Sequence, residues 1–121
     1  KLIKEIKVFF ELQIAIAKRA GIDSGNIILD PGIGFGKRLE DNFEIIRELG
    51  QISTMGYPVL LGPSRKSFIG FTLDLPVEER IEGTLASITA GVINGARIVR
   101  VHDIRATRRT LTITEKIMGI N

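Results

Sequence analysis

The sequence predicts an α/β fold built on parallel strands, and three observations carry that prediction. Short apolar runs recur: Ile27-Ile28-Leu29, Pro58-Val59-Leu60-Leu61 and Ile98-Val99. Such runs suit strands covered on both faces, hence a parallel sheet. Between them lie segments with apolar residues at helical spacing, joined by short connections. Each run also ends abruptly in polar residues: Asp30-Pro31-Gly32, Gly62-Pro63-Ser64-Arg65-Lys66-Ser67 and Arg100-Val101-His102-Asp103. A buried parallel strand looks like this where it surfaces at its C-terminal end, the end at which α/β folds bind their ligands.

The elements follow in the order α-β-α-β-α-β-α. Residues 1–20 read as an amphipathic helix with Ile3, Ile6, Phe9, Phe10, Leu12, Ile16 and Ala20 at helical spacing, and Gly21 as its C′ stop. A turn over Ile22 to Asn26 leads into the first strand, which Pro31 and the following glycines end. A second helix begins near Asp41 with Phe43, Ile45, Ile46, Leu49 and Ile52 on its apolar face, and Gly56 ends it. Tyr57 to Leu61 is the second strand. After the Ser64-Arg65-Lys66 loop, Asp74-Leu75-Pro76 is a helix-start signal. The helix is expected to run to Gly95, with a break at Gly83. Ala96 to Val101 is the third strand, and Asp103 is placed to cap a final helix carrying Ile104, Leu111, Ile113, Ile117 and Met118.

Length and composition narrow the function. The 121 residues suit one domain, and 44% hydrophobic with 26% charged residues is ordinary for a globular protein. A net charge of +3, no Trp and one Tyr leave no basic stripe with stacking aromatics, which argues against nucleic acid. No Cys is present, so disulfides and thiolate metal sites are excluded. No apolar run approaches the ~18 residues of a membrane span. The first twenty residues mix charges of both signs, unlike a secretory leader, so a cytoplasmic location is expected.

Three strands pose a physical problem. They cannot close a barrel, which needs about eight, and an open three-stranded sheet leaves both edges unpaired. The expectation is therefore a single partial domain over 1–121, the C-terminal part of a larger (βα) protein. The alternatives are a sheet completed by oligomerisation and a small doubly wound domain.

The strand ends hold the candidate chemistry. Asp30, fixed by Pro31, can accept two parallel hydrogen bonds from an amidine-like edge such as a pterin or guanine; the plainer reading is a turn carboxylate. Gly32-Ile33-Gly34-Phe35-Gly36-Lys37 is not a phosphate loop: Pro31 stands where its first glycine belongs, and Arg38 follows Lys37 in place of Ser or Thr. Its glycines let backbone pass close to a flat ligand, with Phe35 as a lid, or they simply make turns. Ser64, Arg65 and Lys66 place a hydroxyl, a guanidinium and an ammonium within three residues, suited to carboxylate or carbonyl recognition, or to an exposed basic loop. Arg100 and His102, two apart on a strand, project to the same face and suit a phosphate or pyrophosphate. The alternative is a salt-bridged Arg beside a surface His. His102 is the only His, so no His-based metal cluster arises from this chain alone, and no Ser sits on a G-x-S-x-G turn.

Four motifs in order are similar to those of the dihydropteroate synthase family: Ile28 to Lys37, Leu60 to Gly70, Arg80 to Ala86, and Arg100 to Asp103. They run through most of the chain but correspond to somewhat under half of a family member. The resemblance implies the C-terminal part of a TIM (β/α)8 barrel, with these as strands six to eight. It implies condensation of 6-hydroxymethyl-7,8-dihydropterin pyrophosphate with p-aminobenzoate, giving 7,8-dihydropteroate and pyrophosphate in folate synthesis, at a site that sulfonamides target. On that resemblance Lys66, Arg100 and His102 are catalytic. Substrate binding falls to Asp30, Phe35, Gly62, Ser64, Arg65, Lys66, Arg100 and His102. Asp30 would hold the pterin's amino-pyrimidine edge, and Lys66 would bond its ring. Arg100 would pack on the pterin and bind pyrophosphate with His102, and Phe35 and Ser64 would border the p-aminobenzoate pocket. Mg²⁺ is implied with ligands outside this chain. The expected partners are the two small-molecule substrates and the missing N-terminal half or a second copy, in a homodimer. The main competitor is another pterin- or folate-binding barrel, such as a methyltetrahydrofolate methyltransferase domain. A further one is a half-barrel with only a structural role.

Overall fold

Leu29, strand β1 (Val59–Leu61) and strand β2 (Ala96–Val99) form the parallel centre of the molecule. The computed structural model describes residues 1–120. β1 lies in the middle. It pairs with β2 on one side and, through Leu29 alone, with the first apolar run on the other. The Leu29 amide donates to Pro58 O at 2.9 Å and Leu60 N–H donates to Leu29 O at 2.8 Å. The expected strand at Ile27–Leu29 is thus reduced to a single bridge, because Pro31 offers no amide and Asp30 turns to bond Gly32. The third strand is also shorter than expected, although Arg100 N–H still donates to Leu61 O at 3.0 Å and extends the ladder.

Helices pack against this centre and against one another. α1 (Leu2–Arg19) ends as the sequence predicts, with Gly21 at φ 93° beyond its last turn. Only part of its apolar surface is used. Ile3 and Phe10 are buried, whereas Phe9, Leu12 and Ile16 form a stripe more than half exposed. The second helix starts at Leu39, where the Asp41 carboxylate accepts the Arg38 N–H at 3.0 Å, and is divided at Glu48 into α2 (Leu39–Arg47) and α3 (Leu49–Ser53). Ile45, Ile46, Leu49 and Ile52 all enter the core with Val59, Leu61 and Ala96.

The segment after β1 departs most from the expectation. Asp74 does not start a helix; it ends one. α4 (Ser67–Leu73) closes with Asp74 in the left-handed conformation at φ 56°, a conformation Asp tolerates better than most residues. Pro76 then leads a single 3₁₀ turn, and α5 runs from Ile81 to Ile93. Nor does α5 break at Gly83. A Cβ there would lie 2.3 Å from Ile69 Cγ2, so the glycine lets α5 approach α4 closely. Thr84, Ile88 and Gly91, spaced i, i+4, i+7, form the buried face of α5. α6 (Ile104–Met118) follows β2. Asp103 occupies its N-cap position but makes no side-chain cap bond, because its carboxylate is committed elsewhere. No helix among the described residues is long and apolar enough to cross a membrane.

Candidate active site

The loop between β1 and α4 is held from four directions. Arg65 takes the left-handed conformation at φ 58°, unfavourable by about 1–2 kcal/mol for a residue with a side chain. Its neighbours compensate. Its N–H donates to Thr84 Oγ1 at 3.0 Å, its carbonyl accepts from Arg80 Nη1 at 2.8 Å, and its guanidinium makes a two-pronged pair with Asp103 at 2.8 and 3.2 Å. Arg80 reaches this position by lying across Gly70, where a Cβ would sit 2.3 Å from its guanidinium carbon. The fourth tie is Ser64, whose buried hydroxyl accepts the His102 N–H at 3.1 Å and lies 2.7 Å from His102 Nδ1. The loops after β1 and β2 are therefore one cross-linked unit.

The Arg65 guanidinium raises no doubt about charge on Asp103. Its hydrogen bonds hold the Asp103 carboxyl below the ordinary carboxylate value, with burial opposing. A carboxyl with a lowered folded-state pKa stabilises the fold above its unfolded value and loses that contribution as pH falls through the folded one. Asp41, lowered by its bonds from Arg38, acts with the same sign. Asp103→Asn is expected to flatten the acid limb of the unfolding free energy below the ordinary carboxylate value of about pH 4. Identical slopes for parent and variant in urea titrations of the whole protein would contradict it.

Three charged groups face one another beside this unit. Arg100 Nη1 lies 3.7 Å from Asp30 Oδ2, with both side chains well exposed. An ion pair so long and so wet contributes about 0–1 kcal/mol, so both partners can be given over to a ligand at little cost. The Arg100 guanidinium rests on Gly62, where a Cβ would approach Nη2 to 2.7 Å. Lys66 reaches across to the glycine loop: its Nζ donates to Ile33 O and stands 4.4 Å above the centre of the Phe35 ring. Burial, then the nearby Arg100, hold its ammonium below the ordinary lysine value, against an opposing pull from Asp30.

Glycine geometry explains the approach of Lys66. A Cβ on Gly34 would meet its Cδ at 2.9 Å, and Gly34 itself has φ 86°. Gly34 N–H donates to Asn42 Oδ1 at 2.8 Å, and Asn42 Nδ2 donates to Arg38 O at 3.1 Å. Buried Asn42 thus anchors the glycine loop to α2.

The structure brings Asp30, Phe35, Gly62, Lys66 and Arg100 together, with Ser64 and His102 joined to each other beside them. It sets one candidate apart. Arg65 spends its guanidinium on Asp103 and stabilises the loop. Asn42, Arg80 and Thr84 support the site without belonging to any of the polar strand ends that mark it in the sequence. A signal for two of them was present: Asn42 lies on the same helical stripe as Ile45, Ile46 and Leu49, and Thr84 on that of Ile88 and Gly91. A polar residue on a buried stripe needs a partner, and here the partner is a site loop in both cases.

Cavities follow the chemistry only loosely. A cleft of about 100 Å³ between the glycine loop and α4 is lined by Gly34, Lys37, Asn42, Ser67, Phe68 and Phe71. A larger hollow of about 430 Å³ lies at the opposite end, where β1 and β2 begin, among Ser53, Tyr57, Gly95 and Arg97. It holds one cation and no cluster of converging groups, so the site is placed by its chemistry and not by volume. No group of three or more His, Asp or Glu residues among those described is arranged to hold a metal ion, and the Asp30 and Asp103 carboxylates both face arginines. The residues present do not fit a magnesium site.

Fold and site together define an α/β protein whose parallel strand ends bring a carboxylate, an ammonium, a guanidinium and an imidazole close together. The chain belongs to the family described as pterin binding enzyme, whose sequence pattern matches residues 1–102. It is 54% identical over 106 residues to the dihydropteroate synthase of Clostridium beijerinckii, a match covering 87% of this chain and 39% of that protein. Its fold is that of the Clostridium difficile dihydropteroate synthase crystallised in the presence of pteroic acid. That structure has a TM-score of 0.94 at 42% identity, over 97% of this chain and 44% of that one. The Thermus thermophilus dihydropteroate synthase is similar, with a TM-score of 0.91 at 40% identity over 98% of this chain. Its complex with 4-aminobenzoate is matched over 48% of its chain and that with 6HMPPP over 47%. The chain spans about two fifths of the length of the curated relatives it matches.

Proposed function

We propose that this chain is the C-terminal part of a dihydropteroate synthase, one partial domain of a TIM barrel that works as a homodimer of a longer chain. The observation that carries the reading is the facing arrangement of Asp30, Lys66 and Arg100, with His102 beside them, at the ends of parallel strand segments. Asp30 supplies two acceptor oxygens for the amino-pyrimidine edge of a pterin. Lys66, lifted off Ile33 O, donates to the pterin ring. Arg100 rests on Gly62 with its side chain more than half exposed, so that a diphosphate can take the place of Asp30.

The chemistry balances simply. The C–O bond at the 6-hydroxymethyl carbon breaks, and both electrons leave with pyrophosphate. The pterin ring delocalises the resulting cation. The p-aminobenzoate nitrogen donates its lone pair to that carbon to form the C–N bond, then loses one proton to solvent. Negative charge grows on the bridging oxygen as the bond breaks, and Arg100 and His102 stand where donors stabilise it. Phe35, exposed above Lys66, offers an apolar face to the arylamine. A magnesium ion would have to draw its ligands from residues beyond these 121.

The exposed Phe9, Leu12 and Ile16 stripe and the short sheet suit a chain whose remaining strands and helices complete the barrel. The test is direct: the whole protein, given dihydropterin pyrophosphate and p-aminobenzoate, should release pyrophosphate and dihydropteroate in a one-to-one ratio. No product with both substrates at saturation would overturn the reading. Lys66→Ala is expected to raise KM for the pterin about 10- to 100-fold, the loss of one charge-assisted hydrogen bond. An unchanged KM would remove Lys66 from the pterin site.

A further inference from the structure

We propose that Ser64 is a positioning residue that sets the tautomer and ring orientation of His102, so that the uncharged imidazole turns an Nε2–H donor toward the leaving anion. The inference rests on the pyrophosphate-releasing reaction proposed above, but its structural half stands on geometry alone.

Among the described residues Ser64 Oγ has two partners within hydrogen-bonding distance, and both belong to His102: the backbone N–H at 3.1 Å and ring Nδ1 at 2.7 Å. The backbone contact has only one possible sense, with the amide donating to Oγ. The hydroxyl proton is then free to be donated, and Nδ1 is the acceptor in reach. In that arrangement both groups are satisfied, and the uncharged ring carries its proton on Nε2. The reverse arrangement has Nδ1–H donating to Oγ. Oγ would then receive two N–H groups, and its own proton would have no partner among the described residues. Ser64 is 6% exposed, so water does not readily supply one. The two contacts also close a ring of atoms through the His102 backbone, which holds the imidazole against rotation.

This assigns Ser64 a different task from lining an arylamine pocket. It acts through His102 on the anion, and the arylamine does not meet its hydroxyl. It also explains why the β1 and β2 loops are joined here: the donor that faces the anion is aimed by a residue on the neighbouring loop.

The whole protein, labelled with ¹⁵N-histidine, tests the structural half without substrate. The His102 resonances, assigned by their loss in His102→Ala, should show a bare Nδ1 acceptor and a protonated Nε2 at a pH where the ring is uncharged. A protonated Nδ1 would overturn the proposal. The functional half uses a double-mutant cycle. Ser64→Ala should weaken inorganic pyrophosphate binding about tenfold and leave KM for p-aminobenzoate within about twofold. In the His102→Ala background the same change should cost less than about twofold. An equal loss in both backgrounds, or a rise in the p-aminobenzoate KM alone, would show that Ser64 does not act through His102. If the whole protein made no dihydropteroate, the proposed function would fall while the histidine spectrum would still decide the tautomer.

Discussion

Arg100→Ala in the whole protein is expected to lower kcat/KM for dihydropterin pyrophosphate by about 10²–10³-fold, the effect of removing one donor from developing negative charge. Arg100 is the best-placed group for that role. Its only ionic partner among the described residues is Asp30 at 3.7 Å, and the pair is well exposed, so little holds the guanidinium away from a ligand. Gly62 provides the flat surface beneath it. Arg100→Lys should recover only part of the loss, because an ammonium cannot reproduce the planar, two-pronged grip of a guanidinium on phosphate oxygens. Steady-state kinetics with each substrate varied would separate the effects: the pterin parameters should move and KM for p-aminobenzoate should not. An Arg100→Ala enzyme within threefold of the parent would remove Arg100 from the anion site.

Phe68→Ala should destabilise the fold by about 3–5 kcal/mol, the usual range for emptying a buried phenyl site. Phe68 is 2% exposed and packs edge-on against Phe43, with ring centres 5.4 Å apart. It sits in the first turn of α4, two residues after Lys66, and so connects the core to the site loop. Denaturant unfolding of the whole protein should report the loss as a lower midpoint with an unchanged slope. A midpoint shift worth less than about 1 kcal/mol would mean that the Phe68 site collapses around the cavity or that α4 is not held by this ring.

These two predictions differ in where their grounds come from. Arg100 was legible as sequence. Directly after the last apolar run, and spaced i, i+2 with the only His, it had to face the same way as that His at the end of a strand. Asp30 and Lys66 were legible for the same reason, because each follows an apolar run that cannot continue. Phe68 was not. Ser67 to Leu73 falls between the Ser64-Arg65-Lys66 loop and Asp74-Leu75-Pro76, which reads as the start of a helix, and is too short to declare an element of its own. The short helix α4 exists because Phe68 and Ile69 find a place in the core beside Phe43 and Gly83, which is a tertiary event. Asp103 shows the same limit. As sequence it is a helix cap, and its position is indeed N-cap; the nearby guanidinium of Arg65 outcompetes the backbone for its carboxylate.

By itself, the sequence determined the parallel α/β class, the strand ends and the set of groups displayed there. Those follow from local rules: apolar runs bury, proline and glycine interrupt them, and charged residues must surface where the run stops. Only the tertiary structure decided which of those groups are free for a ligand. Arg65 and Arg100 look alike in sequence, each a cation after a strand. The guanidinium of one is taken by Asp103 while Thr84 and Arg80 hold its backbone, and that of the other meets, among the described residues, an exposed carboxylate 3.7 Å away. Their difference lies in partners 15 to 70 residues distant along the chain, and such distances close only when helices pack on the sheet.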